Sequence, residues 1–189
     1  MKKTLLVLYA LLTCFLGVNQ ALAGSVYMYK EASVKHPGRN IEPPEAYELI
    51  QKAPRNTFIV DVRTRAEYQF VGHPLGAYLV PIYFLSTIFK GKGYEMLENP
   101  DFGKNIMHKF NPEADTLIFM CRSGTRSALA MNAAVKAGWP VEKAYSMMGG
   151  FEGGKIKNPN SSFNGRRNGG GWRNEGLPWT YTMDPQRVY

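Results

Sequence analysis

Cysteine is scarce in this 189-residue chain: only Cys14 and Cys121 are present. Histidine is nearly as rare, and His36, His73 and His108 lie far apart. With so few soft ligands there is no metal-ligand spacing, so no metal or other cofactor is expected. Nor does any apolar run reach the roughly 20 residues of a membrane-spanning helix; the one from Leu5 to Val18 has about 14. No internal repeat is visible.

The short apolar run has a different reading. It follows the basic Met1-Lys2-Lys3 and precedes Ala21-Leu22-Ala23, an A-x-A cleavage pattern with Gly24 after it. Together these are the parts of a secretory signal peptide, expected over residues 1–23. Export through the Sec pathway into the periplasm is the expected route, with no stable membrane span left after cleavage. An uncleaved anchor is the alternative. A lipidated Cys14 fits poorly, because Thr13 is a weak residue at that position and apolar residues continue past the cysteine. Cleavage would take Lys2 and Lys3 from a formal charge of +8. It would also leave Cys121 as the only thiol, without an intramolecular disulfide partner.

A modestly basic surface favours anionic ligands. The basic residues are otherwise scattered, and nucleic acid is not an expected partner of an exported protein. Arg166, Arg167 and Arg173 form one loose cluster, read as a solvated face with the guiding of anions as its alternative.

Along the chain, residues 24–40 are mixed and polar, expected to be an arm. A helical pattern opens at Glu42-Pro43-Pro44-Glu45 and ends near Pro54. Thr57-Phe58-Ile59-Val60 is a β-branched apolar run ending at Asp61, a buried strand. Residues 64–70 predict a short helix stopped by Gly72, and Ala77-Tyr78-Leu79-Val80 another strand. The aromatic and glycine-containing stretch 82–110 is expected to form helical pieces on the surface. Thr116-Leu117-Ile118-Phe119-Met120 is continuously apolar, as in a central parallel strand. Residues 127–137 carry apolar positions at helical spacing, with Gly138 placed to end the helix. Residues 141–148 give a last strand before Gly149-Gly150. Strands alternating with helices predict an α/β fold, a central parallel sheet with helices on both faces. The core is expected over 41–152. Residues 153–189 form a Gly/Arg/Trp-rich extension, docked through Trp172 and Trp179 as packing anchors.

Cys121 thus stands on the step from a buried strand to a helix N-terminus. There the loop Arg122-Ser123-Gly124-Thr125-Arg126 can curl its N–H groups inward, and the helix adds the positive end of its dipole. Gly124 supplies a positive φ. Arg122 and Arg126 add fixed positive charge. Thr125 holds the loop shape, and Ser127 reads as the helix N-cap. All of this favours a thiolate at Cys121 over an inert buried thiol. Cysteine-dependent phosphatases have five residues between nucleophile and arginine. Here Arg126 follows Cys121 after four, a smaller loop that suits a sulfur atom on the cysteine better than a phosphate.

At these residues the sequence resembles the single-domain rhodaneses. The likeness lies in Ile59-Val60-Asp61-Val62-Arg63, Glu67-Tyr68, Gly72-His73-Pro74-Leu75-Gly76-Ala77, the 121–127 loop and Gly149-Gly150-Phe151, in that order. It implies a rhodanese-like fold and a sulfurtransferase in which Cys121 takes sulfane sulfur from a small anionic donor such as thiosulfate. A persulfide then passes the sulfur to cyanide or a thiol, with a protein acceptor as an open alternative. Residues 122–127 would bind the substrate. The resemblance makes Asp61 and Arg63 supports of the loop, and a plain buried ion pair explains them equally. Glu67 with Arg63 reads as an i,i+4 pair, and His73 as a structural hydrogen-bonding residue in a turn. The alternatives are a carrier that delivers persulfide sulfur without turnover, and a redox-sensing domain whose thiol is modified without transfer.

Overall fold

The computed structural model describes Tyr29 and residues 32–189. The expected signal peptide, residues 1–23, and residues 24–28, 30 and 31 of the arm lie outside the described residues. Five strands form one wholly parallel sheet: β1 Arg39–Ile41, β2 Thr57–Asp61, β4 Tyr78–Leu79, β7 Thr116–Met120 and β8 Ala144–Met147, in the order β1-β8-β7-β2-β4. Parallel strands are buried on both faces, which explains the unbroken apolar runs. Leu117, Ile118, Phe119 and Met120 are all fully buried.

Two cores follow from the pleat. Leu117, Phe119 and Cys121 point to one side, with Val60, Val62 and the helices α3 Phe102–Lys109 and α4 Thr125–Lys136, through Phe102, Ile106, Ala130, Met131 and Ala134. Ile118 and Met120 point to the other, with Ile59, Leu79, and α1 Pro43–Lys52 and α2 Arg65–Val71 through Ala46 and Tyr68. Helices therefore cover both faces of the sheet. Each fully buried Leu, Ile, Phe or Met side chain contributes roughly 1.5–3 kcal/mol.

Three expectations need correction. The stretch 82–110 is not a set of helical pieces throughout: β5 Tyr83–Lys90 and β6 Gly93–Glu98 form an antiparallel hairpin, and only α3 is helical. Its β-branched and aromatic content suits strands, and the Lys90-Gly91-Lys92-Gly93 turn closes it. The last strand is shorter than 141–148, because Val141–Lys143 make a 3-10 turn before β8. Arg39–Ile41, at the border of the arm, pair in parallel with Tyr145 to Met147 and supply an edge strand.

The C-terminal extension packs against the domain. Trp172 is 2% exposed, its ring meets Tyr47 edge-on, and its indole N–H donates to Pro178 O. Trp179 is exposed, unlike Trp172, although it lies in β11, Trp179–Thr180, which pairs with β3, His73–Pro74, and its ring meets Phe151 edge-on. Two further short strands, β9 Gly154–Lys155 and β10 Arg167–Gly169, form a hairpin at the start of the extension. No helix among the described residues is long and apolar enough to cross a membrane.

Candidate active site

Cys121 follows the last residue of β7 and is 2% exposed. The next three residues turn the chain into α4. Gly124, at φ +115°, stands at the helix N-cap, a conformation that an L side chain resists. That turn aims the Gly124 N–H at Cys121 Sγ, 3.1 Å away. A donor there and the N-terminal end of a 12-residue helix both favour negative charge on the sulfur.

Ser127 is not the N-cap. The helix begins two residues earlier, at Thr125, and the fully buried Ser127 sits in its first turn. Its hydroxyl donates to Gly124 O at 2.6 Å and lies 3.6 Å from Cys121 Sγ. A hydroxyl has one hydrogen, so it serves one of these acceptors at a time. The closer bond pins the turn that positions the Gly124 N–H.

The arginines have separate fates. Arg122 is exposed at the mouth of the loop, with Ser123 half-buried beside it and Thr125 exposed. Arg126 is half-buried and makes a bidentate pair with Glu67: Nη1 donates to Oε2 at 2.7 Å and Nη2 to Oε1 at 2.6 Å. Glu67 is therefore not the i,i+4 partner of Arg63. It sits in the first turn of α2, where it also accepts from the Thr64 N–H and hydroxyl in a capping box. Burial pushes the Glu67 carboxyl up. The hydrogen bonds and charge of Arg126, the Thr64 N–H and the charge of Arg63 outweigh it, and the pKa falls to about 2.

Asp61 and Arg63 form a fully buried pair, with Arg63 Nη2 2.6 Å from Asp61 Oδ2. Arg63 also donates from Nε to Asp61 and from Nη2 to Gly72 O. Asp61 pairs in register with Met120, the residue before the thiol. The Arg63 guanidinium lies over the Phe151 ring, 4.5 Å from its centroid. Phe151 in turn donates its N–H to Cys121 O at 2.8 Å, and Glu152 donates to Arg122 O at 3.0 Å. The buried pair thus supports the loop through Phe151. His73 is structural: Nδ1 bonds with Tyr68 O at 3.1 Å, and the ring stacks on Tyr68 at 3.6 Å.

Sequence reasoning missed Glu67 as the partner of Arg126. It also missed the contact of the extension with the site. Arg167, in β10, donates from Nη1 to Gly153 O, next to the segment that holds the loop. Glu67-Tyr68 was visible as a motif, but its partner lies 59 residues away. Among the described residues no cluster of His, Cys, Asp and Glu could hold a metal ion.

A family model described as a rhodanese-like domain matches residues 42–157. An uncharacterized protein of Rickettsia conorii is 32% identical over 144 residues, which is 76% of this chain and 98% of that one. The crystal structure of Rv0390 from M. tuberculosis is similar with a TM-score of 0.58 and 32% identity, over 78% of this chain and 100% of that one. The solution structure of the rhodanese-like domain of Alr3790 from Anabaena sp. gives a TM-score of 0.50 at 15% identity, over 77% of this chain and 81% of that one. At that identity the second likeness speaks to the fold alone.

Proposed function

The chain belongs to the rhodanese-like domain family, and from that premise we propose that it is an exported sulfurtransferase that carries sulfane sulfur as a persulfide on Cys121. The observation that carries the reading is the Gly124 N–H directed at Cys121 Sγ from 3.1 Å, at the N-terminal end of α4. A thiol at a strand end, facing a backbone donor and a helix dipole, is arranged to bear negative charge.

The first step is attack of the Cys121 thiolate on the outer sulfur of thiosulfate. The Sγ–S bond forms, the S–S bond of the donor breaks, and sulfite leaves with the electron pair. In the second step cyanide or a thiolate attacks the outer persulfide sulfur. The Sγ–S bond breaks, thiocyanate or a new persulfide departs, and the Cys121 thiolate is restored. No net oxidant is consumed and no proton need move, so a catalytic histidine is not required. This is covalent, ping-pong chemistry. The loop contributes electrostatic stabilisation from a donor already in place. Arg122, exposed at the mouth, attracts the dianionic donor, and Ser127 fixes the turn. With Cys121 2% exposed, a small donor fits the access better than a bulky one. The signal-peptide pattern read in residues 1–23 of the sequence is what supports a periplasmic location.

Intact mass after incubation with thiosulfate tests the reading. A gain of about 32 Da, removed by cyanide with release of thiocyanate, is expected from the covalent step. Cys121→Ser should show neither the gain nor any thiocyanate. A mass gain without thiocyanate would assign the carrier role instead, and thiocyanate formation by Cys121→Ser would overturn the mechanism.

A further inference from the structure

We propose that Arg167, carried by the C-terminal extension, is an anion-steering residue of the Cys121 site, which draws small dianionic donors to the thiol together with Arg122. The assignment rests on the sulfur-transfer reading only for the identity of the anion.

Four observations place Arg167 there. Its guanidinium Nη1 donates to Gly153 O at 3.0 Å, two residues beyond Phe151. The hairpin that carries it is fastened to the segment holding the active loop. Trp172 N–H donates to Gly150 O, Arg173 N–H to Phe151 O, and the Asn174 side-chain amide to the carbonyls of Glu152, Arg167 and Gly170. That same segment donates the Phe151 and Glu152 N–H groups to the carbonyls of Cys121 and Arg122. The guanidinium is also close enough to the loop to interact electrostatically with Arg122, Glu152, Cys121 and Arg126.

The charge balance gives Arg167 its role. Arg126 has its charge matched by the bidentate Glu67. Arg122 and Arg167 then bring two positive charges against the single negative charge of Glu152, a local excess within electrostatic reach of the sulfur. Burial and the like charge of Arg122 lower the pKa of Arg167, as expected for a cation held near another. The repulsion between the two is relieved when a dianion lies between them. One of the five N–H donors of the guanidinium is used on Gly153, so the fork is anchored without being exhausted. Its neighbours differ: Arg166 lies over the Phe163 ring and Arg173 over Phe151 and Trp179.

The test compares alkylation of Cys121 by iodoacetate, an anion, and iodoacetamide, its neutral analogue, on the full chain. The ratio of the two rates reads the charge at the mouth, while general opening of the loop changes both rates together. Arg167→Gln should lower the ratio about threefold to tenfold, the effect of one partly screened charge. Arg167→Lys should keep it, and Arg166→Gln should leave it unchanged. Arg167→Met serves as the neutral replacement if the Gln variant melts early. High salt should narrow the gap between wild type and the neutral variants. An unchanged ratio in both neutral variants overturns the assignment. So does a wild-type thiol that neither reagent reaches, since no anion is then admitted. The readout needs no turnover: absence of thiocyanate in the wild type would sink the sulfur-transfer reading and leave this ratio standing, and the converse holds for an unchanged ratio in an active enzyme.

Discussion

Gly150→Ala is the sharpest probe of how the loop is held. Gly150 has φ +57°. A Cβ added there would press into Cys121 O and come within 2.7 Å of Arg122 C and Ser123 N. All three obstacles are backbone of the active loop, so no side chain can swing aside. Cys121 O cannot turn away cheaply, because it accepts the Phe151 N–H at 2.8 Å, and Arg122 O accepts that of Glu152 at 3.0 Å. Relief therefore means separating the two segments and weakening both bonds, at roughly 1–3 kcal/mol for each buried group left unpaired. The left-handed backbone adds roughly 1–2 kcal/mol for a residue with a Cβ. The total is roughly 3–8 kcal/mol, a large part of a typical 5–15 kcal/mol stability. Gly91→Ala is the control: it has φ +62° and nothing within 4 Å of an added Cβ, so only the backbone cost applies. Urea melts should show Gly150→Ala losing several times more stability than Gly91→Ala. Where the variant remains folded, thiosulfate:cyanide transfer should fall by about a hundredfold, the usual cost of displacing a reacting group by about 1 Å. Equal stability losses in the two variants, with transfer intact in Gly150→Ala, would refute the picture of a loop clamped backbone to backbone.

Two further outcomes follow from the ion pairs. Glu67 titrates at about 2 in the folded protein against an ordinary 4.5. Its depressed pKa contributes stability that is present above about pH 4.5 and is lost as pH falls through about 2, up to about 3 kcal/mol in all. Acid denaturation of Glu67→Gln should lack that component, and a wild-type advantage over the variant that is undiminished at pH 2 would count against the Arg126 pairing. Asp61→Ala strands a buried guanidinium and should cost about 3–5 kcal/mol in a denaturant melt. Adding Arg63→Met should recover much of it, and a double variant no better than the single one would mean that Arg63 matters for packing on Phe151 rather than for charge.

The sheet was legible because its signal is local. A short β-branched and aromatic apolar run from Thr116 to Met120 suits a strand buried on both sides, and the structure gives it those bounds. The helix after the loop was equally clear through Leu129, Ala130, Ala133 and Ala134, yet its start was misplaced. Ser127 has the chemistry of an N-cap, and only the three-dimensional turn at Gly124 shows that the helix has already begun. The β5–β6 hairpin was missed because alternation is not strict. Leu85, Ile88, Phe89, Tyr94, Met96 and Leu97 are all exposed, so neither face carries the polar pattern that marks a half-buried strand. The edge strand Arg39–Ile41 has three residues and no signal of its own; it is a strand because β8 offers it a partner.

The site divides along the same line. Which groups exist near the thiol was readable from spacing: a cysteine after a strand, a glycine three residues on, a helix behind. Which group each charge answers to was not. The spacing set Arg126 five residues after Cys121, and a role on the substrate followed if the side chain turned inward. Arg126 is the second residue of α4, and the first turn of α2 presents Glu67 to it across the sheet end. Glu67 is itself fixed there by Thr64. The pair therefore locks two helix N-termini together beside the thiol, and the charge of Arg126 is matched by Glu67 rather than left free. On the proposed reading, that leaves a dianionic donor to Arg122, next to Cys121 in sequence, and to Arg167, 46 residues beyond Cys121 and in electrostatic reach of the loop. A loop one residue longer would move Arg126 along α4 and away from Glu67. The short spacing thus fits a pairing that holds the helix in place as well as it fits a small atom on the cysteine.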